Sequence, residues 1–116
     1  MRHRKKGKIL DRKKASRKAL LRSLATSLVL YEKIKTTEAK AKALKPIIEK
    51  LITKGKKNDL TSRRELHKYL YLANAVKKVL EDLSPRYKDR KGGYTRIIRL
   101  NSRQGDAAQM VQIEFV

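Results

Sequence analysis

Lysine and arginine are the side chains of this sequence that could do the most chemistry, because they make up 32 of its 116 residues. Lysine ammonium groups bind phosphate as point charges, and arginine guanidinium groups bind it through a planar fork that can also stack on unpaired bases. Only 11 aspartates and glutamates oppose them, which leaves a formal net charge of +21. A compact protein with this charge repels itself without an anionic partner, so the sequence predicts a polyanion as the first ligand to consider.

The groups needed for catalysis or metal binding are few and scattered. Cysteine is absent, which excludes thiolate zinc sites, thiol nucleophiles and disulfide frameworks. His3 and His67 have no Cys or i+4 His to complete a zinc pair, and both are expected to be surface residues. The phosphate-loop, dinucleotide-binding and nucleophile-elbow motifs are also missing. The sequence therefore predicts no enzyme: no catalytic residue, no metal, no cofactor and no small-molecule substrate.

The positive charge is concentrated in two segments. Residues 1–22 hold eleven basic residues and one acid, Asp11. Residues 1–8 offer a single apolar side chain, so they cannot offset the entropy of ordering, and we expect residues 1–12 to form an arm that orders on a polyanion. A solvated tail without a partner is the alternative interpretation. A second basic cluster, at residues 86–103, is irregularly spaced, which suits a loop and a strand edge.

Membrane and targeting segments are not expected. The longest apolar run is far shorter than the roughly 20 residues that span a bilayer. The charged N-terminus argues against a signal peptide. A transit peptide ranks below a resident basic arm, although residues 12–30 are basic and weakly amphipathic.

The first half of the chain is predicted to contain two helices flanking a strand. Apolar residues recur at three- and four-residue steps over residues 13–31, which is typical of an amphipathic helix. Residues 32–37 alternate and are rich in β-formers, which predicts a short strand. Thr36 or Thr37 could cap a second helix, which would hold Glu38 in its first turn and stop at Lys54-Gly55. Pro46 lies inside it and predicts a kink or a break.

The second half is predicted to contain two further helices and two strands, which gives the order α-β-α-α-α-β-β. Ser62-Arg63-Arg64-Glu65 fits a capping box at the start of the third helix. Asn74 is the candidate cap of a fourth helix, which Ser84-Pro85 would close. Gly92 and Gly93 could adopt positive φ or let the chain approach a phosphate closely, and a plain loop is an equally good interpretation. Two strands joined by a hairpin loop follow, at residues 94–100 and 109–116, and Val111, Ile113 and Phe115 alternate on one face of the last strand.

Several motifs occur in the order found in a known family. They are Met1-Arg2-His3-Arg4-Lys5, Ala25-Thr26-Ser27-Leu28, Ile34-Lys35-Thr36-Thr37, Gly92-Gly93-Tyr94-Thr95-Arg96-Ile97, Gly105-Asp106-Ala107 and Ile113-Glu114. Together they resemble the bacterial large-subunit ribosomal protein family numbered seventeen, and the resemblance runs from Met1 to Val116.

The resemblance implies an α/β (α+β) fold with a two-layer body, in which four helices pack on a small mixed three-stranded sheet. It implies no catalysis. It also implies binding to large-subunit ribosomal RNA near the exit of the peptide tunnel, contact with neighbouring large-subunit ribosomal proteins, and a cytoplasmic, ribosome-bound location.

Charge and resemblance together give two groups of expected RNA contacts. Because aromatic residues make up only 5% of the chain, we expect contact with a folded RNA backbone rather than base stacking as the main mode. The first group belongs to the arm and the start of the first helix: Arg2, His3, Arg4, Lys5, Lys6, Lys8, Arg12, Lys13 and Arg17. The second group belongs to the second basic cluster: Tyr94, Thr95, Arg96, Arg99 and Arg103.

Two other functions stay open on the residues alone. A nucleoid-type DNA-binding protein would carry the same charge, although the sequence has no convincing helix-turn-helix signature or apolar minor-groove wedge. A membrane-surface role for the helix at 13–31 ranks third, since its apolar face has no Trp or Phe anchor.

Deletion of residues 1–12 should leave the helices and sheet folded but impair assembly into large ribosomal subunits, because the predicted core residues all lie downstream. Circular dichroism would report the fold, and sedimentation on a sucrose gradient would report assembly. Loss of the helical signal in the truncated protein would contradict the division into an arm at 1–12 and one globular domain at 13–116.

Overall fold

The computed structural model describes Leu10 and residues 13–116. Its elements are α1 (Lys14–Tyr31), β1 (Lys33–Thr37), α2 (Glu38–Lys57), α3 (Leu60–Tyr69), α4 (Ala73–Lys78), a π-helical turn (Val79–Leu83), α5 (Ser84–Arg86), β2 (Thr95–Arg99) and β3 (Met110–Phe115). Since α4, the π-helical turn and α5 follow one another without a break, they form one long helix. The predicted order α-β-α-α-α-β-β is confirmed.

The sheet is built around the last strand of the chain. β3 lies between β1 and β2 and pairs antiparallel with both, so that Ile34, Ile113 and Ile97 stand side by side across the three strands. The α/β class and the three strands are confirmed, but the sheet is antiparallel throughout, and the mixed sheet is wrong. Only residues 100–109 join β2 to β3, which is fewer than the dozen or more residues that a parallel crossover needs, so that pair is antiparallel. β1 and β2 do run in the same direction, but β3 separates them.

The core lies between the helices and one face of this sheet. The alternation predicted for the last strand is confirmed, because Val111, Ile113 and Phe115 are buried while their neighbours are less so. α2 covers this face with Leu44, Ile48 and Ile52, all buried. Full burial of each such side chain is worth about 1.5–3 kcal/mol. These contacts hold the sheet against α2 and leave its other face open.

Pro46 does not break α2. The helix is continuous from Glu38 to Lys57, so the predicted break is wrong. Pro46 and Lys42 are both exposed. Water can therefore reach the Lys42 carbonyl, which Pro46 leaves without its backbone donor, and the cost of the missing hydrogen bond is reduced.

Gly55 lies inside α2 rather than at its end, so the predicted stop at Lys54-Gly55 is also wrong. A Cβ at Gly55 would lie 2.3 Å from Ser84 Oγ and 2.8 Å from Val79 Cγ1. The lack of a side chain at Gly55 therefore allows α2 to pack closely against the long helix. The helix ends instead at Asn58, whose φ of 49° is the left-handed conformation that asparagine tolerates.

The start of α3 is set by Asp59, so the predicted capping box at Ser62 is wrong. Asp59 Oδ1 accepts the backbone N–H of Ser62 at 2.7 Å, and this hydrogen bond lowers the pKa of Asp59. Ser62 itself is buried in the first turn. The N-cap of α3 is therefore Asp59, and the sequence prediction had assigned this role to Ser62.

The long helix begins one residue before Asn74 and continues past Ser84-Pro85 to Arg86, so both predicted ends are wrong. The N–H of Ser84 donates to the carbonyl of Val79, which makes the turn before Pro85 π-helical. A proline ring crowds the carbonyl four residues earlier in an α-helix. The wider π-helical turn accommodates Pro85 without ending the helix.

Substitution Gly55→Ala should lower the free energy of unfolding by about 1–3 kcal/mol, because the new methyl group overpacks the contact with Ser84 and Val79. At an open helical site the same change would be stabilising by about 1 kcal/mol. Urea denaturation measures the effect. Gly92→Ala is the control, since nothing lies within 4 Å of a Cβ there; equal stabilities of the two variants would contradict the packing argument.

Candidate nucleic-acid interface

The first turns of α1 carry a cluster of cations that we call the basic helix start: Lys13, Lys14, Arg17 and Lys18. Lys13 at the N-cap makes no side-chain capping bond, and the first turn of α1 contains no acid. A helix N-terminus carries about half a positive charge and has unsatisfied N–H groups, so cations there repel it. The same arrangement favours an anion such as a phosphate.

Glu32 holds the other end of α1 in place. It follows the last helical residue in the left-handed conformation, with a φ of 64°. Its carboxylate accepts hydrogen bonds from Arg86 and, at 3.1 Å, from Lys78 of the long helix. Arg86 and then Lys78 lower the pKa of Glu32, and Glu32 in turn raises the pKa of Arg86. This triad fixes the direction of α1 and therefore where the basic helix start points.

A second basic surface is the face of the sheet opposite the helices. The register places Lys33, Glu114 and Arg96 side by side on the three strands. Arg96 Nε lies 3.5 Å from Glu114 Oε1, and Lys33 and Lys35 are exposed. One acid therefore sits among three cations, and this outer face keeps a positive balance.

The Gly92-Gly93 loop is attached to α2 by Glu49. The Glu49 carboxylate accepts the N–H of Gly93 at 3.0 Å and the hydroxyl of Thr95 at 3.2 Å. Gly93 has a φ of 64°, so the positive φ predicted as one interpretation occurs at this residue. Lys56 adds a hydrogen bond to the Tyr94 hydroxyl at 2.6 Å. The loop is thereby held on the body at the start of β2.

The second predicted group does not form one surface. Tyr94 and Thr95 are only 1% and 3% exposed, so their side chains pack inside the protein, and RNA contact at these two residues stays a prediction. Arg96 lies on the outer face of the sheet. Arg99 is 78% exposed and has the opposite parity on β2, near Glu38. Arg103 lies in the hairpin loop.

Arg103 is paired inside its own loop. One terminal nitrogen of its guanidinium donates to Asp106 Oδ2 at 2.6 Å, and Asp106 also accepts the N–H of Ala108 at 3.2 Å. These bonds lower the pKa of Asp106 to about 2. The pair shapes the hairpin and leaves Arg103 only half exposed for an external phosphate.

The remaining predictions divide by location. Of the first group, Lys13 is exposed and Arg17 half-buried on α1. His67 is exposed on α3, which confirms it as a surface residue. The other members of the first group lie outside the described residues: Arg2, His3, Arg4, Lys5, Lys6, Lys8 and Arg12.

Sequence reasoning missed Arg22, Glu32, Glu49 and Lys56, which position the interface. Their partners lie between 38 and 54 residues away along the chain, so no local pattern could have identified them. Within Leu10 and residues 13–116, no three His, Asp or Glu side chains come together as a metal site. No helix in that part of the chain is long and apolar enough to cross a membrane.

Comparison with known proteins identifies a matching family, described as Ribosomal protein L17, over residues 20–116. The chain is 50% identical over 112 residues to a protein named large ribosomal subunit protein bL17 from an Exiguobacterium species, which covers 92% of this chain and 96% of that protein. The protein of the same name from a Hydrogenobaculum species is 50% identical over 117 residues, with 100% and 99% covered. That of Pelobacter propionicus is 49% identical over 116 residues, with 100% and 91% covered.

Proposed function

Since the chain belongs to the ribosomal protein L17 family, which consists of structural constituents of the large ribosomal subunit and not of enzymes, we propose that it binds large-subunit ribosomal RNA through the basic helix start. The observation that carries the proposal is the charge of α1. This helix of 18 residues contains no aspartate or glutamate, and its N-terminal half holds Lys14, Arg17 and Lys18. Phosphates of a folded RNA would relieve the repulsion there.

The distribution of ion pairs supports the same surface. In the described part of the chain, the cations that pair with carboxylates are Lys42, Lys54, Lys78, Arg86, Arg96, Arg99 and Arg103. The members of the basic helix start are not among them. Within the described residues, a phosphate that binds these cations therefore displaces no ion-pair partner, whereas Asp106 would compete with a phosphate for Arg103.

The proposal extends to the arm and to the location of the protein. Residues 1–12, with six lysines and arginines, would continue the path of positive charge beyond Lys13. We also propose that the protein lies near the exit of the peptide tunnel and contacts neighbouring large-subunit proteins. Its proposed location is cytoplasmic and ribosome-bound. Their support is the resemblance to the family over the full length of the chain.

Substitution Arg17→Gln should have opposite effects on folding and on binding. Removing a cation beside the N-terminus of α1 should raise the free energy of unfolding by about 0.3–1 kcal/mol at low salt. Losing a charged hydrogen bond to phosphate should weaken binding to large-subunit ribosomal RNA by about tenfold or more. Thermal unfolding and filter binding measure the two effects.

Lys54→Gln is the matched control, because it removes the same charge from a lysine that already pairs with Glu65 at 3.3 Å. Its affinity for the RNA should stay close to that of the unmodified chain. Equal losses of affinity in the two variants would mean that only net charge matters and would reject the basic helix start as the contact.

A further inference from the structure

Two of the six aromatic residues of this chain face solvent. Three others pack together in the core, with ring centroids 5.3 and 6.3 Å apart: Tyr87, Tyr94 and Phe115. Tyr69 is half-buried. Tyr31 and Tyr71 are 71% and 48% exposed. Among the described residues a cation lies over the ring of Tyr71 and none lies over that of Tyr31, so the two exposed rings are not equivalent.

The cation over Tyr71 belongs to Arg22 of α1. The guanidinium carbon lies 4.3 Å from the centroid of the Tyr71 ring. Arg22 Nε donates to the carbonyl of Tyr69, and a terminal nitrogen donates to that of Lys68, both at 2.8 Å. Carbonyls in the last turn of a helix lack intrahelical donors, so Arg22 completes the end of α3. The guanidinium is thus fixed against one face of the ring, and we call this pair the arginine–tyrosine stack.

The backbone under the ring is anchored as well. The N–H of Tyr71 donates to Thr26 Oγ1 at 3.3 Å, and that hydroxyl donates to the carbonyl of Arg22 at 2.9 Å. The preceding residue, Leu70, is buried in the core. A ring held in this way loses little conformational freedom when a ligand covers its exposed face, which favours affinity.

The charge around the stack selects the class of ligand. α1 contributes no acid. α3 has one acid, Glu65, which pairs with Lys54, and its basic side chains are Arg63, Arg64, His67 and Lys68. A ligand for this surface must therefore carry negative charge that pairs with the nearby basic side chains, and it must present a flat apolar face to Tyr71. Nucleic acid supplies both, as phosphates and as bases.

We propose that the exposed face of Tyr71 stacks on an unpaired base of the RNA that binds this protein, while Arg22 covers the opposite face. The inference rests on the proposed function and adds a base contact to its phosphate contacts. Every base has a π face, so the stack tolerates different bases. Because Arg22 occupies one side of the ring, one base is the expected occupant.

The test uses the full chain and an in vitro transcript of large-subunit ribosomal RNA in filter binding. Tyr71→Leu keeps an apolar side chain but removes the ring, and it should weaken binding by about 5- to 150-fold. The slope of log affinity against log salt should not change, because a stacked base releases no counterions. Tyr71→Phe should retain the affinity of the unmodified chain, and so should the control Tyr31→Leu.

Ultraviolet crosslinking of the unmodified chain gives a readout that does not depend on the folding of a variant. A nucleotide adduct on the peptide containing Tyr71 is the expected result. Unchanged affinity of Tyr71→Leu with no adduct at Tyr71 would overturn the stack while RNA binding stands. Normal RNA affinity of Tyr71→Leu combined with its loss from assembled subunits would assign the ring to a neighbouring protein and would also overturn it. Failure of the unmodified chain to bind the transcript would reject the proposed function and the stack together.

Discussion

Repulsion at the start of α1 is the interaction on which the rest of the account depends. The helix places Lys13, Lys14, Arg17 and Lys18 at the positive end of its own dipole, without a capping side chain or an acid in the first turn. A protein stabilised only by internal contacts would gain free energy from an aspartate or serine cap at this point. The arrangement becomes favourable when a polyanion supplies the missing negative charge, as the proposed binding to ribosomal RNA would do.

Three of the few acids in the chain hold structural elements in position. Glu32 joins the end of α1 to the long helix, Glu49 holds the Gly92-Gly93 loop on α2, and Asp106 shapes the hairpin. Their pairing with internal cations and N–H groups leaves little negative charge to offset the basic helix start. The same scarcity of acids that orients the elements therefore leaves the surplus positive charge facing outward. Arg22 has a comparable structural role. It donates hydrogen bonds to the last carbonyls of α3 and also covers one face of the Tyr71 ring.

Sequence periodicity predicted the order of the elements and the buried face of β3, because both depend on residues a few positions apart. It failed where a distant contact overruled a local signal. Gly55 marks a close approach to the long helix rather than a helix end, and Pro85 is accommodated by a π-helical turn. In the interface, charge density predicted RNA contacts at Lys13 and Arg17, and the resemblance predicted one at Tyr94. The burial of the Tyr94 ring depends on distant packing that neither signal contains. The pairing of Arg22 with Tyr71 joins residues 49 positions apart, which no local pattern encodes.

The salt dependence of binding tests the central claim most directly. Filter binding of the full chain to large-subunit ribosomal RNA would be measured between 50 and 200 mM salt. If the positive surface acts by binding phosphates, six to ten contacts should reduce the affinity by about 10³ to 10⁵ over this range. An affinity that stays nearly constant across the series would contradict the account.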